Sequence, residues 1–250
     1  MIWSPEQAKA HKESAEKFRE AYVKGENKIT RVEDIKSNRN RCFTLIERID
    51  RHPATFNEFK NIYSKLEEIP GFYFQEISHF TIDCHRYKKD VEFPEGLKNI
   101  APNLELGFLI SEGEWHSYDR VLKEEINKEP AYDVEIKGIA FGGDGLIAQV
   151  WYDDKRMMDF TSRLGERVRK EVPSMDFQWG MVKGKIPYRV VNLTRFTGEE
   201  DKKRVLDFVD ANKESDSVKF TMTDVNLVFG DHYLQARKTL DFGTYEFAKD

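Results

Sequence analysis

Two short strings constrain this chain more than anything else in it. Ile77-Ser78-His79-Phe80-Thr81-Ile82 and Val190-Val191-Asn192-Leu193-Thr194-Arg195-Phe196 share a polar-x-Thr pattern among apolar residues, in different halves of a 250-residue sequence. Side chains of a β-strand alternate between its two faces. In strands, therefore, His79 and Thr81 share one face while Phe80 and Ile82 take the other. In the same way Asn192 and Thr194 share a face while Val191 and Leu193 point inward. Two strands that each offer a polar pair predict one cleft between two similar halves.

The runs around these strings support that reading. Cys42–Ile49, Phe72–Ile82, Leu104–Ile110, Val134–Phe141, Leu146–Tyr152, Tyr188–Phe196, Val218–Phe229 and Tyr233–Phe242 read as strands. Pro53–Ile69, Tyr118–Asn127, Lys155–Glu171 and Glu199–Ala211 read as helices, with apolar residues such as Phe56, Phe59, Ile62, Tyr63 and Leu66 at helical spacing. Gly142-Gly143-Asp144-Gly145 predicts a hairpin turn. Each half carries a strand, a helix and further strands, an order that excludes a helical bundle and favours a sheet protein of the α/β or α+β kind. Before residue 41 the chain is more polar. Ser4-Pro5-Glu6 signals a helix start, Gly25-Glu26-Asn27 its end, and Lys28–Arg41 has no clear period. Residues 1–40 are thus expected to be a helical extension and linker, and 41–250 the main domain.

Composition removes several function classes. A formal net charge of −5 argues against a broadly basic nucleic-acid wrapper. No apolar run approaches the roughly 20 residues that span a bilayer. Met1-Ile2-Trp3 leads directly into Ser4, Pro5 and Glu6, without the apolar core of a secretory leader. With only Cys42 and Cys84, a cytoplasmic location with two reduced thiols is the expectation. The glycine-rich turn lacks the Gly-Lys-Ser/Thr ending of a P-loop, and Cys84-His85 has no second pair at metal-ligand spacing. No metal and no cofactor are expected.

From Arg41 to Phe247 the chain resembles the 2H phosphoesterases, the superfamily of the 2′-5′ RNA ligase-like proteins and RNA cyclic phosphodiesterases. The resemblance rests on the ordered pair of motifs and on the elements that follow the second. These are a short helix, then Val225-Asn226-Leu227-Val228 and Tyr233-Leu234-Gln235, placed like the family's closing hairpin. It implies an α+β fold, two-lobed and pseudo-symmetric, with antiparallel sheets and flanking helices. It also implies a metal-independent phosphodiesterase acting on a cyclic or 2′-5′ phosphodiester of a small nucleotide or an RNA end. In that family two histidines exchange protons with the reacting oxygens and two Ser/Thr hydroxyls hold the phosphate. Carried onto this chain, His79 and Thr81 match the first motif and Thr194 the hydroxyl of the second.

Asn192 stands where the second histidine belongs. A carboxamide donates and accepts hydrogen bonds but does not titrate near neutrality. The resemblance therefore leaves open a slow or altered enzyme, a nucleotide- or RNA-binding protein without turnover, and an interaction scaffold. His85, His116 and His232 are the other histidines that could fill the gap, and Asp83 could orient an imidazole. Tyr188, Arg195 and Phe196 are candidate substrate contacts, with Arg189, Lys183 and Lys185 adding local positive charge. Arg195 reads more readily as a structural or edge arginine than as a phosphate ligand, and Phe196 more readily as core.

Overall fold

A computed structural model of the chain describes residues 3–37, 41–87, 112–177, 189–214, 217–231 and 233–249. The architecture is α+β. The strands are β1 (Arg41–Arg48), β2 (Phe72–Phe74), β3 (His79–Tyr87), β4 (Tyr132–Phe141), β5 (Leu146–Trp151), β6 (Met175–Phe177), β7 (Arg189–Asn192), β8 (Thr194–Phe196), β9 (Val218–Met222), β10 (Asp224–Asp231) and β11 (Leu240–Glu246). The helices are α1 (Pro5–Lys24), α2 (Val32–Ser37), α3 (Pro53–Glu67), α4 (Glu112–Ile126), α5 (Asp154–Glu171) and α6 (Lys202–Asn212).

The main sheet is antiparallel throughout and runs β11-β10-β1-β3-β7-β5-β4-β9, with β6 pairing the far end of β3. Its midline is the contact between β3 and β7. One half is built outward from β3 through β1, β10 and β11, the other outward from β7 through β5, β4 and β9. The strand bearing each motif is thus the innermost of its half. A second small sheet pairs β2, just before β3, with β8, just after β7.

Helix termini follow their caps. Ser4 accepts the Gln7 N–H at 3.0 Å, Pro5 opens the first turn of α1, and Gly25 closes it in the left-handed region at φ 75°. Asp153 and Asp201 cap α5 and α6 in the same way. One continuous core lies under the sheet. Phe43, Leu45, Phe80, Val191, Leu227 and Phe229 line it from the central strands. Phe43 meets Trp115 and Tyr118 of α4 with ring centroids 5.5 and 5.6 Å apart.

Four of the sequence-predicted strands are divided or replaced. Phe72–Ile82 is two strands, because at Gln75 the chain leaves the small sheet for the main one; the Gln75 N–H donates to the Leu193 carbonyl at 3.1 Å. Tyr188–Phe196 is likewise divided at Leu193. Val218–Phe229 breaks at Thr223 into β9 and β10, which pair with different partners. Tyr233–Phe242 is a 3₁₀ turn at Ala236–Lys238 followed by β11. Leu104–Ile110 lies outside the described residues. The segment before β1 gains the short helix α2, whose Ile35 is fully buried and whose carbonyl accepts from Gln235 at 2.7 Å.

α1 is packed onto the sheet. Tyr22 touches Phe141 and Phe196 at 4.9 and 4.8 Å between ring centroids. Nearer its start, the Trp3 indole N–H donates to Glu135 at 2.7 Å and His11 lies against Trp151 at 4.5 Å. Among the described residues no helix is long and apolar enough to cross a membrane.

Candidate functional site

The midline of the sheet brings the two motifs together. Phe80 of β3 pairs with Val191 of β7, and both side chains are fully buried in the core. Carrying that antiparallel register one residue further sets His79 opposite Asn192, with both on the face turned away from Phe80 and Val191. The neighbouring registers extend this into a row. Arg48 pairs with His79 on one side, and Ile147 with Asn192 on the other. The next row on the same face runs Ile46, Thr81, Val190, Gln149. Cα atoms facing each other across such strands are about 5 Å apart, so Arg48, His79 and Asn192 span about 10 Å.

His79 lies at the floor of this face, only 5% exposed, while Thr81 and Asn192 are half-buried. Its Nδ1 is 2.6 Å from the Ile77 carbonyl oxygen. A carbonyl only accepts, so Nδ1 carries a proton. Arg48 is the neighbour that sequence reasoning missed. Its guanidinium bonds Asp50 through Nε at 3.0 Å and lies 3.7 Å from Asp241. Asp50 holds the arginine charged more firmly than usual, and the two carboxylates offset much of its attraction for an outside anion. A cavity of about 300 Å³ opens beside Arg48, lined by Ile46, Ser78, Val228 and Asp241, next to His79 rather than around it.

Thr194 does not join this face. The chain changes sheets at Leu193, so Asn192 ends β7 while Thr194 begins β8 in the small sheet. Its side chain is fully buried, and its hydroxyl accepts the Leu146 N–H at 3.3 Å. Arg195 pairs in register with Tyr73, is 4% exposed, binds Asp144, and holds its guanidinium 5.6 Å from the Tyr233 ring centre. Phe196 is fully buried among Tyr22, Phe72 and Phe141. It packs the core instead of offering a stacking surface. Tyr188, Lys183 and Lys185 lie outside the described residues. Arg189 reaches across β3 and donates to the Ile82 carbonyl.

Neither His85 nor Asp83 shares the His79 face. A bulge in β3 sets Thr81 against Ile46 and Asp83 against Leu45, so Ile82 is an extra residue and the alternation reverses beyond it. Asp83 and His85 therefore turn into the core. The His85 Nε2 sits 3.2 Å from Asp83, and its Nδ1 is 2.6 Å from the Tyr118 hydroxyl. His116 is exposed on α4, and His232 lies outside the described residues. His11 reaches the site face, but at Trp151, four residues along β5 from Ile147, or about 13 Å. Burial pushes its pKa down from 6.5 to about 4, so it is neutral at physiological pH.

No family model matches the chain, and no curated protein sequence does. Among solved structures it is similar to the crystal structure of TT0787 of Thermus thermophilus. The two share 11% identity and a TM-score of 0.47, over 82% of this chain and 97% of that one.

Proposed function

We propose that this chain is a 2H-type phosphodiesterase-like protein. Its cleft takes a cyclic or 2′-5′ phosphodiester of a small nucleotide or an RNA end, and turns it over weakly. The observation that carries the reading is the row Arg48, His79, Asn192 at the seam of the two half-sheets, with Thr81 beside it. In this reading the His79 imidazole takes the proton from an attacking water or hydroxyl. The Thr81 hydroxyl donates to one phosphate oxygen and the Asn192 amide to another. The organic part of the ligand lies in the cavity beside Arg48.

Two features favour weak turnover. Asn192 has no proton to exchange with the leaving oxygen, a contribution worth about 10²–10⁴-fold where a general acid is present. The second hydroxyl of the motif pair is already engaged with the backbone of Leu146. A protein that binds such a phosphodiester without hydrolysing it is the neighbouring reading, favoured by the same two features.

The test is a panel of 2′,3′-cyclic nucleotides and 2′-5′-linked dinucleotides offered to wild type, His79→Ala and Asn192→His in chelator. Slow hydrolysis lost in His79→Ala supports the enzyme. Binding by wild type with hydrolysis only in Asn192→His supports the binding protein. If all three proteins neither bind nor hydrolyse any member of the panel, the site assignment fails.

A further inference from the structure

The chain has two cysteines, 42 positions apart and on different strands, yet the fold brings their sulfurs to 3.0 Å. Cys84 of β3 pairs with Thr44 of β1, and alternation along β1 sends Cys42 to the same face. The Thr44 hydroxyl lies 3.4 Å from the Cys42 sulfur and 3.8 Å from that of Cys84, completing a compact triangle. On the third strand Gly230, which has no side chain, stands opposite Cys42. Regular diagonal neighbours on antiparallel strands have Cα atoms about 7–8 Å apart, at or beyond the reach of a disulfide. Here a bulge lies in β3 at Ile82, a feature that increases local twist, and the sulfurs meet. A disulfide bond is about 2.05 Å long, so about 1 Å of closure separates the two thiols from a covalent link.

We infer that Cys42 and Cys84 are a dithiol–disulfide site, closed by a peroxide and reopened by a dithiol reductant. The sulfur of one cysteine, as thiolate, attacks a peroxide oxygen. The O–O bond breaks, giving a sulfenic acid and, after proton transfer, one water. The second sulfur then attacks the sulfenic sulfur, and the S–O bond breaks as its oxygen leaves in a second water. Two thiols and one hydrogen peroxide thus yield one disulfide and two waters, a two-electron oxidation.

The link would staple β1 to β3, the strand that carries His79 and Thr81 on the same face. Both cysteines are buried, and the neighbouring Cys42 thiol together with burial holds the Cys84 thiol well above its ordinary range. Closure is therefore slow, and bulky alkylating reagents do not reach the pair in the folded protein. The site is independent of the phosphodiester reading and stands or falls separately.

The experiment uses reduced, folded, full-length wild type treated with hydrogen peroxide. The protein is then quenched, unfolded with an alkylating reagent, and weighed intact. The expected result is a fall from two titratable thiols to none, with a mass about 2 Da below the reduced chain. A single peptide should join Cys42 to Cys84 within one monomer, and a dithiol should restore both thiols. Cys42→Ser and Cys84→Ser should each oxidise onward to sulfinic acid or form dimers. Three results would overturn the inference. These are retention of both thiols in wild type, separate oxidation of each cysteine to sulfinic acid, and exclusively intermolecular bonds.

Discussion

His79 and Asn192 stand opposite each other on β3 and β7, the two strands through which the halves of the main sheet are joined. The register between β3 and β7 sets the two positions side by side, one filled with an imidazole and the other with a carboxamide. Only one of the two can exchange a proton near neutrality.

Replacing Asn192 by histidine sets a second titratable group beside His79 without disturbing the core, because residue 192 is half-buried and faces away from Val191. Turnover of a 2′,3′-cyclic nucleotide is expected to rise about 10²-fold or more. The pH profile of kcat/KM should change as well. Wild type should show one ionisation, in which His79 must be neutral, so activity falls as pH drops. Asn192→His should show a bell, because one imidazole must then be neutral and the other protonated. A profile that keeps a single limb in the variant would mean that residue 192 does not reach the reacting atoms.

The two threonines of the motif pair are expected to separate cleanly. Thr194→Val removes the acceptor of the buried Leu146 N–H and should cost about 1–2 kcal/mol of stability, read from denaturant unfolding. Thr81→Val touches a half-buried hydroxyl on the open face, and should leave stability near wild type while weakening phosphodiester binding about 10-fold. Equal effects of both changes on binding would show that Thr194 reaches the ligand after all.

Much of this organisation is written locally in the chain. Ser4, Pro5 and Gly25 bound α1 because caps act within one turn, and Gly142-Gly143-Asp144-Gly145 marks its hairpin for the same reason. The shared face of His79 and Thr81 follows from strand alternation, which holds as long as the strand is regular. It fails at Ile82, where a bulge reverses the faces of Asp83 and His85. No glycine marks that position, since the bulge is imposed by pairing with β1. Asn192-Leu193-Thr194 looks locally like His79-Phe80-Thr81, yet the chain changes sheets at Leu193. Arg48 beside His79 and Cys42 beside Cys84 are set by register between distant segments, which composition and periodicity do not encode.

The hairpin turn does more than reverse the chain. A Cβ added to Gly145 would lie 1.8 Å from the Thr194 carbonyl oxygen, so the glycine lets β8 close onto the turn. The same approach carries the Phe196 N–H to the Asp144 carbonyl at 2.8 Å and allows the Asp144–Arg195 ion pair. Gly145→Ala must push the two backbones apart, and a loss of at least about 2 kcal/mol is expected. Gly143→Ala is the control, because its nearest contact would be the Phe18 ring at 3.4 Å. Urea unfolding of both variants distinguishes a close backbone approach from a general preference for glycine in the turn.

His11 links folding to pH. Burial against Trp151 lowers its pKa from 6.5 to about 4, with Lys137 adding to the shift and the bond to the Val150 carbonyl opposing it. Between these two values the unfolded chain binds a proton that the folded chain excludes. Stability contributed by this residue is therefore complete above about pH 6.5 and lost as pH falls toward 4, a total of about 3 kcal/mol. Below pH 4 both states are protonated and the contribution stays lost. His11→Phe keeps a ring against Trp151 and has nothing to protonate. The variant is expected to be somewhat less stable at pH 7, where the bond to Val150 is missing, and its unfolding free energy should lose the slope between pH 6.5 and 4. Parallel pH dependence in the two proteins would place the acid sensitivity elsewhere in the fold.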